Sequence, residues 1–326
     1  MTIDFWQFSD EEKLSVYNEI KEKKRLSPKA VEKDWWVSHV IASVFQLRCA
    51  EALTFKGGTS LSKAWGVIER FSEDVDISID KSFFGIDGST RSARDRIRKL
   101  SREYIHEEVV TELQATLAMY GGYESEVTYK TRKDSDADPT VLLIPYRSLL
   151  PEEEYIKGVV KVEFSCRNLL QPRELRPIRP MVSELSPVVG FPETLVPTVV
   201  PTRTFLEKVF LLHEEFQKDY PRHKRMSRHL YDLYRLSEAG YAAEAIADRE
   251  LYDTLVEHRR TFNAIRGIDY DRQRPSDLSI LPPKDLLPLW EDDYRMMCEE
   301  FIYGEAPSFK DLMAAISAIQ EQFHAL

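Results

Sequence analysis

Cysteine is nearly absent from this chain. The three present, Cys49, Cys166 and Cys298, lie far apart with no paired spacing among 326 residues, which excludes a disulfide scaffold and a zinc knuckle. Long apolar runs are missing too: none approaches the ~18 residues that a membrane span needs. The first residues, MTIDFWQFSDEEKL, lack the basic and apolar segments of a secretory signal. A cytoplasmic protein without a membrane partner is the expectation. Nor is there an excess of positive charge. Forty-five Lys and Arg stand against 55 Asp and Glu, a net charge of −10, which argues against wholesale polyanion binding and leaves room for a local basic patch. Two segments run against the trend, RSARDRIRKLSR at 91–102 and RHKRMSRH at 222–229. Charge runs of this kind are as readily solvated helix faces as binding surfaces.

What is present is enough apolar residue, 43%, to build one large core or two ordinary ones. Residues 27–47 open on Ser-Pro and repeat Val31, Trp35, Val37, Ile41 and Val44 near helical spacing, which predicts a packed helix. Its adjacent charges Lys33 and Asp34 could reach a site, but neighbouring charges on an amphipathic helix are more often on its surface, and that is the expectation. Residues 53–55 read as a short strand before Gly57-Gly58, and 60–69 as a helix. DVDISI then alternates strictly, with Asp74, Asp76 and Ser78 on one face and Val75, Ile77 and Ile79 on the other. A basic helical stretch follows over 92–119, then two candidate strands, GGYESEVTYK and TVLLIPYR. GVVKVEFSC repeats the alternation with Lys161, Glu163 and Ser165 on its polar face. Seven of the seventeen prolines fall between 172 and 201, so irregular structure is expected there. Beyond it Phe205, Val209, Leu212 and Phe216 form a helical stripe, and Gly240 reads as a helix C-cap. The outcome is an α+β part at residues 1–170, a proline-rich connection at 171–203 and a helical part at 204–326.

The chemistry concentrates in FKGGTSLSKAWGVIERFSEDVDISI, residues 55–79. A glycine pair lets backbone amides approach an anion, and a helix start adds a positive dipole end. Carboxylates two apart on a strand suit a hard cation. If the Asp74 and Glu163 strands are neighbours, Asp74, Asp76 and Glu163 converge, an arrangement that makes sense around Mg²⁺ or Mn²⁺ because the acids otherwise repel. Each half alone has an ordinary structural reading, a tight turn or a solvated edge strand; together they form a constellation that is hard to obtain by chance.

These residues resemble motif I of the AbiEii/AbiGii-type nucleotidyltransferase toxins, within the DNA polymerase β-like nucleotidyltransferase superfamily. LSPKAVEKDWWVSHVI is similar to the helix that precedes that motif, VKVEFSCR to the strand with the third acid, FLEKVFLLHE to the lysine motif and RHLYDLYRL to the terminal aspartate motif. The resemblance runs from about residue 27 to 240. It implies a polymerase β-like nucleotidyltransferase domain with a mixed sheet, followed by a helical domain. It also implies that Gly57, Gly58, Thr59 and Ser60 cradle the phosphates of a nucleoside triphosphate, with Lys63 and Ser72 as further contacts. Asp74 and Asp76 would hold the metals with Glu163, Lys208 would contact the triphosphate, and Asp232 would orient the lysine or the acceptor. Fifteen residues separate the glycines from the acids, more than in the wider superfamily.

Without the resemblance, Lys208 pairs as readily with Glu207 or Glu215, and Asp232 with Arg228 or Arg235 on its own helix. Trp35, Trp36 and Trp65 are expected in the core. The function implied is transfer of a nucleoside monophosphate to an acceptor, with the 3′ end of tRNA first among acceptors, in a toxin–antitoxin or phage-defence pair. A cognate antitoxin encoded alongside, of winged-helix type, would be the partner. Transfer to a protein side chain, and nucleotide binding without turnover, stand as alternatives. Arg222, Lys224 and Arg225 are the candidate RNA contacts.

Overall fold

The computed structural model describes residues 3–86, 90–119, 123, 125–130, 138–152, 156–186 and 188–326. It divides into two compact units, one formed by Met1–Trp65 and Phe71–Val199, the other by Gly66–Arg70 and Val200–Leu326. No helix among the described residues is long and apolar enough to cross a membrane.

In the first unit, β1 (Ile3–Asp4) leads to α1 (Asp10–Lys24), whose start is closed by a reciprocal capping box between Ser9 and Glu12. Helix α2 (Pro28–Val44) follows, capped by the Ser27 hydroxyl and begun by proline at its first position, as the sequence predicts. β2 (Leu53–Lys56) runs directly into the short helix α3 (Gly57–Lys63), which ends six residues earlier than expected, before Gly66 at φ +63°. β3 (Asp74–Ile79) is the predicted alternating strand. The basic stretch is helical throughout: α4 (Arg91–Tyr104), a π turn at Ile105–Val109, and α5 (Val110–Met119). β4 (Thr128–Tyr129), β5 (Thr140–Pro145) and β6 (Val159–Ser165) come next. Residues 121, 122 and 124 of the expected GGYESEVTYK strand lie outside the described residues.

The proline-rich stretch is not irregular. It forms β7 (Arg173–Ile178), α6 (Met181–Leu185), β8 (Val189–Gly190) and β9 (Thr194–Val199). β1 and β8 pair in parallel over two residues. The other strands make one mixed sheet in the order β4-β5-β6-β3-β2-β9-β7. Pro177 and Pro197 both lie within the six-pair β7–β9 ladder. They are tolerated because β7 is an edge strand and β9 is bridged to β2 at Phe55–Thr198 alone, so the missing amides need no partner on the outer side of β7 and little on the inner side of β9. At the sheet's centre β3 lies antiparallel to β2 and parallel to β6, and Phe55, Val75, Ile77, Val162 and Phe164 are fully buried.

Helix α2 is buried along nearly its whole length. Trp35 and Trp36 belong to the core as expected, but so do Lys29, Glu32, Lys33 and Asp34, each at most 3% exposed. The expectation of surface positions for Lys33 and Asp34 is overturned. Apolar periodicity locates the helix but is silent about which polar residues find buried partners.

The second unit is helical: α7 (Pro201–Phe216), α8 (Ser227–Glu238), α9 (Tyr241–Ala247), α10 (Arg249–His258), α11 (Leu287–Glu300) and α12 (Phe309–His324). The predicted stripe on α7 holds, with Phe205, Val209 and Leu212 buried and Phe216 packed against the Trp290 ring at 5.5 Å. Gly240 ends α8 at φ +88°, a left-handed conformation that glycine adopts without strain.

Near the end of α7 the buried Glu215 carboxylate accepts from Lys218, from the Arg222 guanidinium and from the Arg222 backbone amide, at 2.7–3.0 Å. Burial works against the charged form, but these donors outweigh it and pull the group from 4.5 to about 2. Because the folded state holds this proton more weakly than the unfolded chain, the contribution is full above pH 4.5 and is lost as pH falls toward 2. The midpoint of thermal unfolding should therefore drop across that window. Glu215→Gln should be less stable at pH 6 and should show a shallower drop, measured by circular dichroism at a series of pH values.

Candidate active site

Antiparallel pairing of β2 with β3 places Lys56 opposite Asp76, so the chain turns into α3 directly beside the Asp76 carboxylate. Gly57 makes that turn at φ +79°, and a Cβ there would overlap the Asp76 carboxyl group. Two constraints thus demand glycine at one position: the left-handed backbone and the close approach of a carboxylate. Thr59 and Ser60 are fully buried, with hydroxyls turned inward. Thr59 donates to the Asp74 carbonyl and bonds the Ser72 hydroxyl at 2.9 Å, while Ser60 donates to the Gly57 carbonyl at 2.8 Å. These side chains tie the glycine turn to the start of β3, and the first-turn amides are left as the groups that can face an anion.

Asp74 and Asp76 share the half-buried face of β3, and Val75 and Ile77 the buried one. Parallel pairing with β6 sets Asp76 in register with Glu163 and Asp74 in register with Lys161. The neighbour-strand arrangement expected from the two alternating segments is therefore present. It does not gather the three acids into one cage: among the described residues no three acidic, histidine or cysteine side chains are grouped to hold a metal. Opposite Asp74 stands a lysine, with its ammonium 3.7 Å from Oδ1. That oxygen is buried and accepts no hydrogen bond. A buried carboxylate oxygen left open beside a second carboxylate suits a hard cation held by one or two carboxylates, with phosphate oxygens completing its shell. The donor set at Asp74 and Asp76 fits such an ion.

Lys63 has another occupation. Its ammonium, on a side chain 6% exposed, pairs with Asp34 and donates to the Arg179 carbonyl at 3.1 Å, so it anchors the end of α3. Lys33 pairs with Glu73, the residue before Asp74. Sequence reasoning allowed that these two α2 residues reach a site but preferred the surface and named neither partner, since neither partner lies within a helical turn.

In the second unit, Asp232 is fully buried and holds two cations. Arg70 grips it through Nε and Nη2 at 2.7 and 2.8 Å, and the Lys208 ammonium lies 2.8 Å from Oδ2. Burial works against the carboxylate, but Arg70 and Lys208 outweigh it and hold Asp232 well below the usual carboxylate range. Burial also lowers the Lys208 ammonium, against the pull of Asp232. The local pairings that sequence allowed are otherwise engaged: Glu207 binds Arg203, Glu215 binds Lys218 and Arg222, and Arg235 binds Glu69. The role of Arg70 had no sequence signal, because its partner is 162 residues away.

Of the basic run, Arg222 has its guanidinium committed to Glu215. Arg225 has its backbone amide on Asp293 and its guanidinium 5.9 Å from the Phe301 ring centre. Lys224 is exposed.

Gly57→Ala should cost about 1–3 kcal/mol of stability for its strained backbone alone. Combining it with Asp76→Ala should recover part of the loss, since the added methyl then has room. A urea-unfolding double-mutant cycle reads this coupling.

Residues 44–316 match the family profile described as nucleotidyl transferase AbiEii toxin, type IV toxin–antitoxin system. No curated protein matches the chain. Among solved structures, MenT4, a nucleotidyltransferase toxin from Mycobacterium tuberculosis H37Rv, is similar over 96% of this chain and 98% of that one, at 19% identity and a TM-score of 0.46. The profile spans the glycine turn, both acid-bearing strands and the Lys208 and Asp232 helices, and the chain belongs to the AbiEii family of nucleotidyltransferase toxins of type IV toxin–antitoxin systems.

Proposed function

We propose that this toxin transfers a nucleoside monophosphate from a nucleoside triphosphate to the 3′ end of tRNA, in the cytoplasm, and that a cognate antitoxin encoded alongside holds it in check. The observation that carries the transfer reading is the Gly57–Asp76 approach. A turn that only glycine can make lies against a carboxylate whose strand neighbour, Asp74, has an open buried oxygen. An anion facing the turn and a cation on the acids would then be adjacent, as a metal-bound triphosphate requires.

In this reading the amides of Gly57, Gly58 and Thr59 bind phosphate oxygens, with the buried hydroxyls of Thr59, Ser60 and Ser72 fixing the turn that presents them. Asp74 and Asp76 carry the cation, Mg²⁺ or Mn²⁺, with Glu163 supporting Asp76 from the adjoining strand. When bound, that ion would supply charge neutralisation for the phosphates. The acceptor hydroxyl attacks the α-phosphorus, and the α–β anhydride bond breaks to release pyrophosphate. Lys208 contacts the triphosphate, and Asp232 fixes the direction of its ammonium. RNA contact is assigned to Lys224 with Arg222 and Arg225 around it, although the engagement of Arg222 by Glu215 reduces what that run can offer. A phage-defence role follows from the same toxicity.

Incubation with each of the four α-labelled triphosphates, Mg²⁺ and total tRNA should place label in RNA. Label in protein instead would favour side-chain transfer, and none in either would sink the catalytic reading. Asp74→Asn and Asp76→Asn should abolish labelling and toxicity, while thermal stability without metal holds or rises because carboxylate repulsion falls. Unfolding of either variant would make the acids structural.

Lys208→Ala should raise the triphosphate KM by roughly ten- to hundredfold, because a charge-assisted contact to phosphate contributes about 1.5–3 kcal/mol. Steady-state kinetics against triphosphate at saturating Mg²⁺ measures it. An unchanged KM would remove Lys208 from the triphosphate.

A further inference from the structure

Lys33 and Asp34 are neighbours of opposite charge on a buried helix, and they reach in different directions. The Lys33 ammonium pairs with Glu73 and donates to the Lys157 carbonyl at 3.0 Å. Glu73 immediately precedes β3, and Lys157 lies two residues before β6. One ammonium therefore ties together the starts of the strands that bear Asp74, Asp76 and Glu163. Asp34 holds the Lys63 ammonium through Oδ1 and accepts the Met181 amide at 2.7 Å through Oδ2. Lys63 is the last residue of α3, whose first residue is Gly57.

Stability alone is a poor reason for this arrangement. Buried ion pairs often contribute no more than well-packed apolar residues of similar volume would, because desolvation offsets their attraction. What they do supply is direction, since each partner can be satisfied only where its counterpart stands. We propose that Lys33 and Asp34 are positioning residues for nucleotidyl transfer. Lys33 sets the acid-bearing strands, Asp34 sets the glycine turn, and the helical backbone that carries both side chains fixes the separation of the cation-binding and phosphate-binding halves. The inference rests on the transfer reading, and it gives Lys63 an indirect part in place of a phosphate contact.

The test separates the two halves by ligand. Mn²⁺ binding without nucleotide, read by electron paramagnetic resonance, reports the acids. Binding of a triphosphate with a non-cleavable α–β bridge, read by calorimetry, reports the turn. Lys33→Met should weaken Mn²⁺ by about tenfold and lower kcat by roughly ten- to hundredfold with a smaller change in KM, the size of effect that outer-shell groups have. Asp34→Asn should weaken the triphosphate analogue by about tenfold and leave Mn²⁺ nearly unchanged. Each should be non-additive with its partner, Glu73→Gln and Lys63→Met respectively. If a truncation fails to fold, Lys33→Arg and Asp34→Glu keep the charge, alter the reach and should show the same split.

Glu32→Gln serves as the control. It is buried on the same helix but bound to Ser148 and the Leu149 amide, so it should lower thermal stability without separating the two ligands. Equal losses of both ligands in all three variants, or binding unchanged in folded Lys33 and Asp34 variants, would overturn the proposal. A wild-type protein that binds both ligands yet transfers nothing would overturn the transfer reading, while the binding comparison would still decide the role of the two residues.

Discussion

A charge removed from water must be matched by another charge or by several hydrogen bonds, since an uncompensated buried ion costs several kcal/mol even after relaxation. Much of this structure follows from meeting that demand. In the first unit the charges of α2 reach Ser148, Glu73 and Lys63, and each match pins a different segment to one helix. In the second, Glu214 holds the Arg259 guanidinium at two points and the Gln273 amide, and Asp232 holds Arg70 and Lys208. The apolar core sets where these elements pack. The charge pairs set how they are aligned, because a guanidinium fork or a carboxylate tolerates little angular error.

The same demand distinguishes the acids. Asp232 and Asp34 are neutralised by cations of the protein itself, and nothing is left for a ligand to do. Asp74 differs: one of its oxygens is buried without a hydrogen bond, and the facing Lys161 ammonium stops 3.7 Å away. Among the described buried carboxylates that oxygen is the exception, and it agrees with the proposed placing of a cation at Asp74. That reasoning is independent of family membership, and it bears on Asp74.

Legibility in the sequence followed the range of the interaction. The β3 and β6 strands were readable because alternation is a local pattern of period two, and the α7 stripe because helical spacing is local as well. The register that sets Asp76 beside Glu163 could be anticipated only conditionally, on the strands being neighbours. Lys33 with Glu73, Asp34 with Lys63, and Arg70 with Asp232 left no trace, for a pair separated by 29 to 162 residues has no periodic signature. The prolines misled for the opposite reason. Their local meaning is to break ladders, yet strand order placed them on an edge and on a strand with a single bridge to its inner neighbour.

The unusual distance between the glycines and the acids is explained on the same ground. Cross-strand register, not the length of the intervening chain, sets Gly57 against Asp76, because Lys56 pairs with Asp76 in the β2–β3 ladder. Loop length is therefore nearly free: each doubling of a flexible loop costs only about 0.6 kcal/mol in closure entropy. A chain with such freedom can give the added residues other work. Here Gly66–Arg70 belong to the helical unit, and their last member, Arg70, grips the aspartate that holds Lys208. The segment that separates the two halves of the motif in sequence thus supplies a cation to the aspartate that holds Lys208.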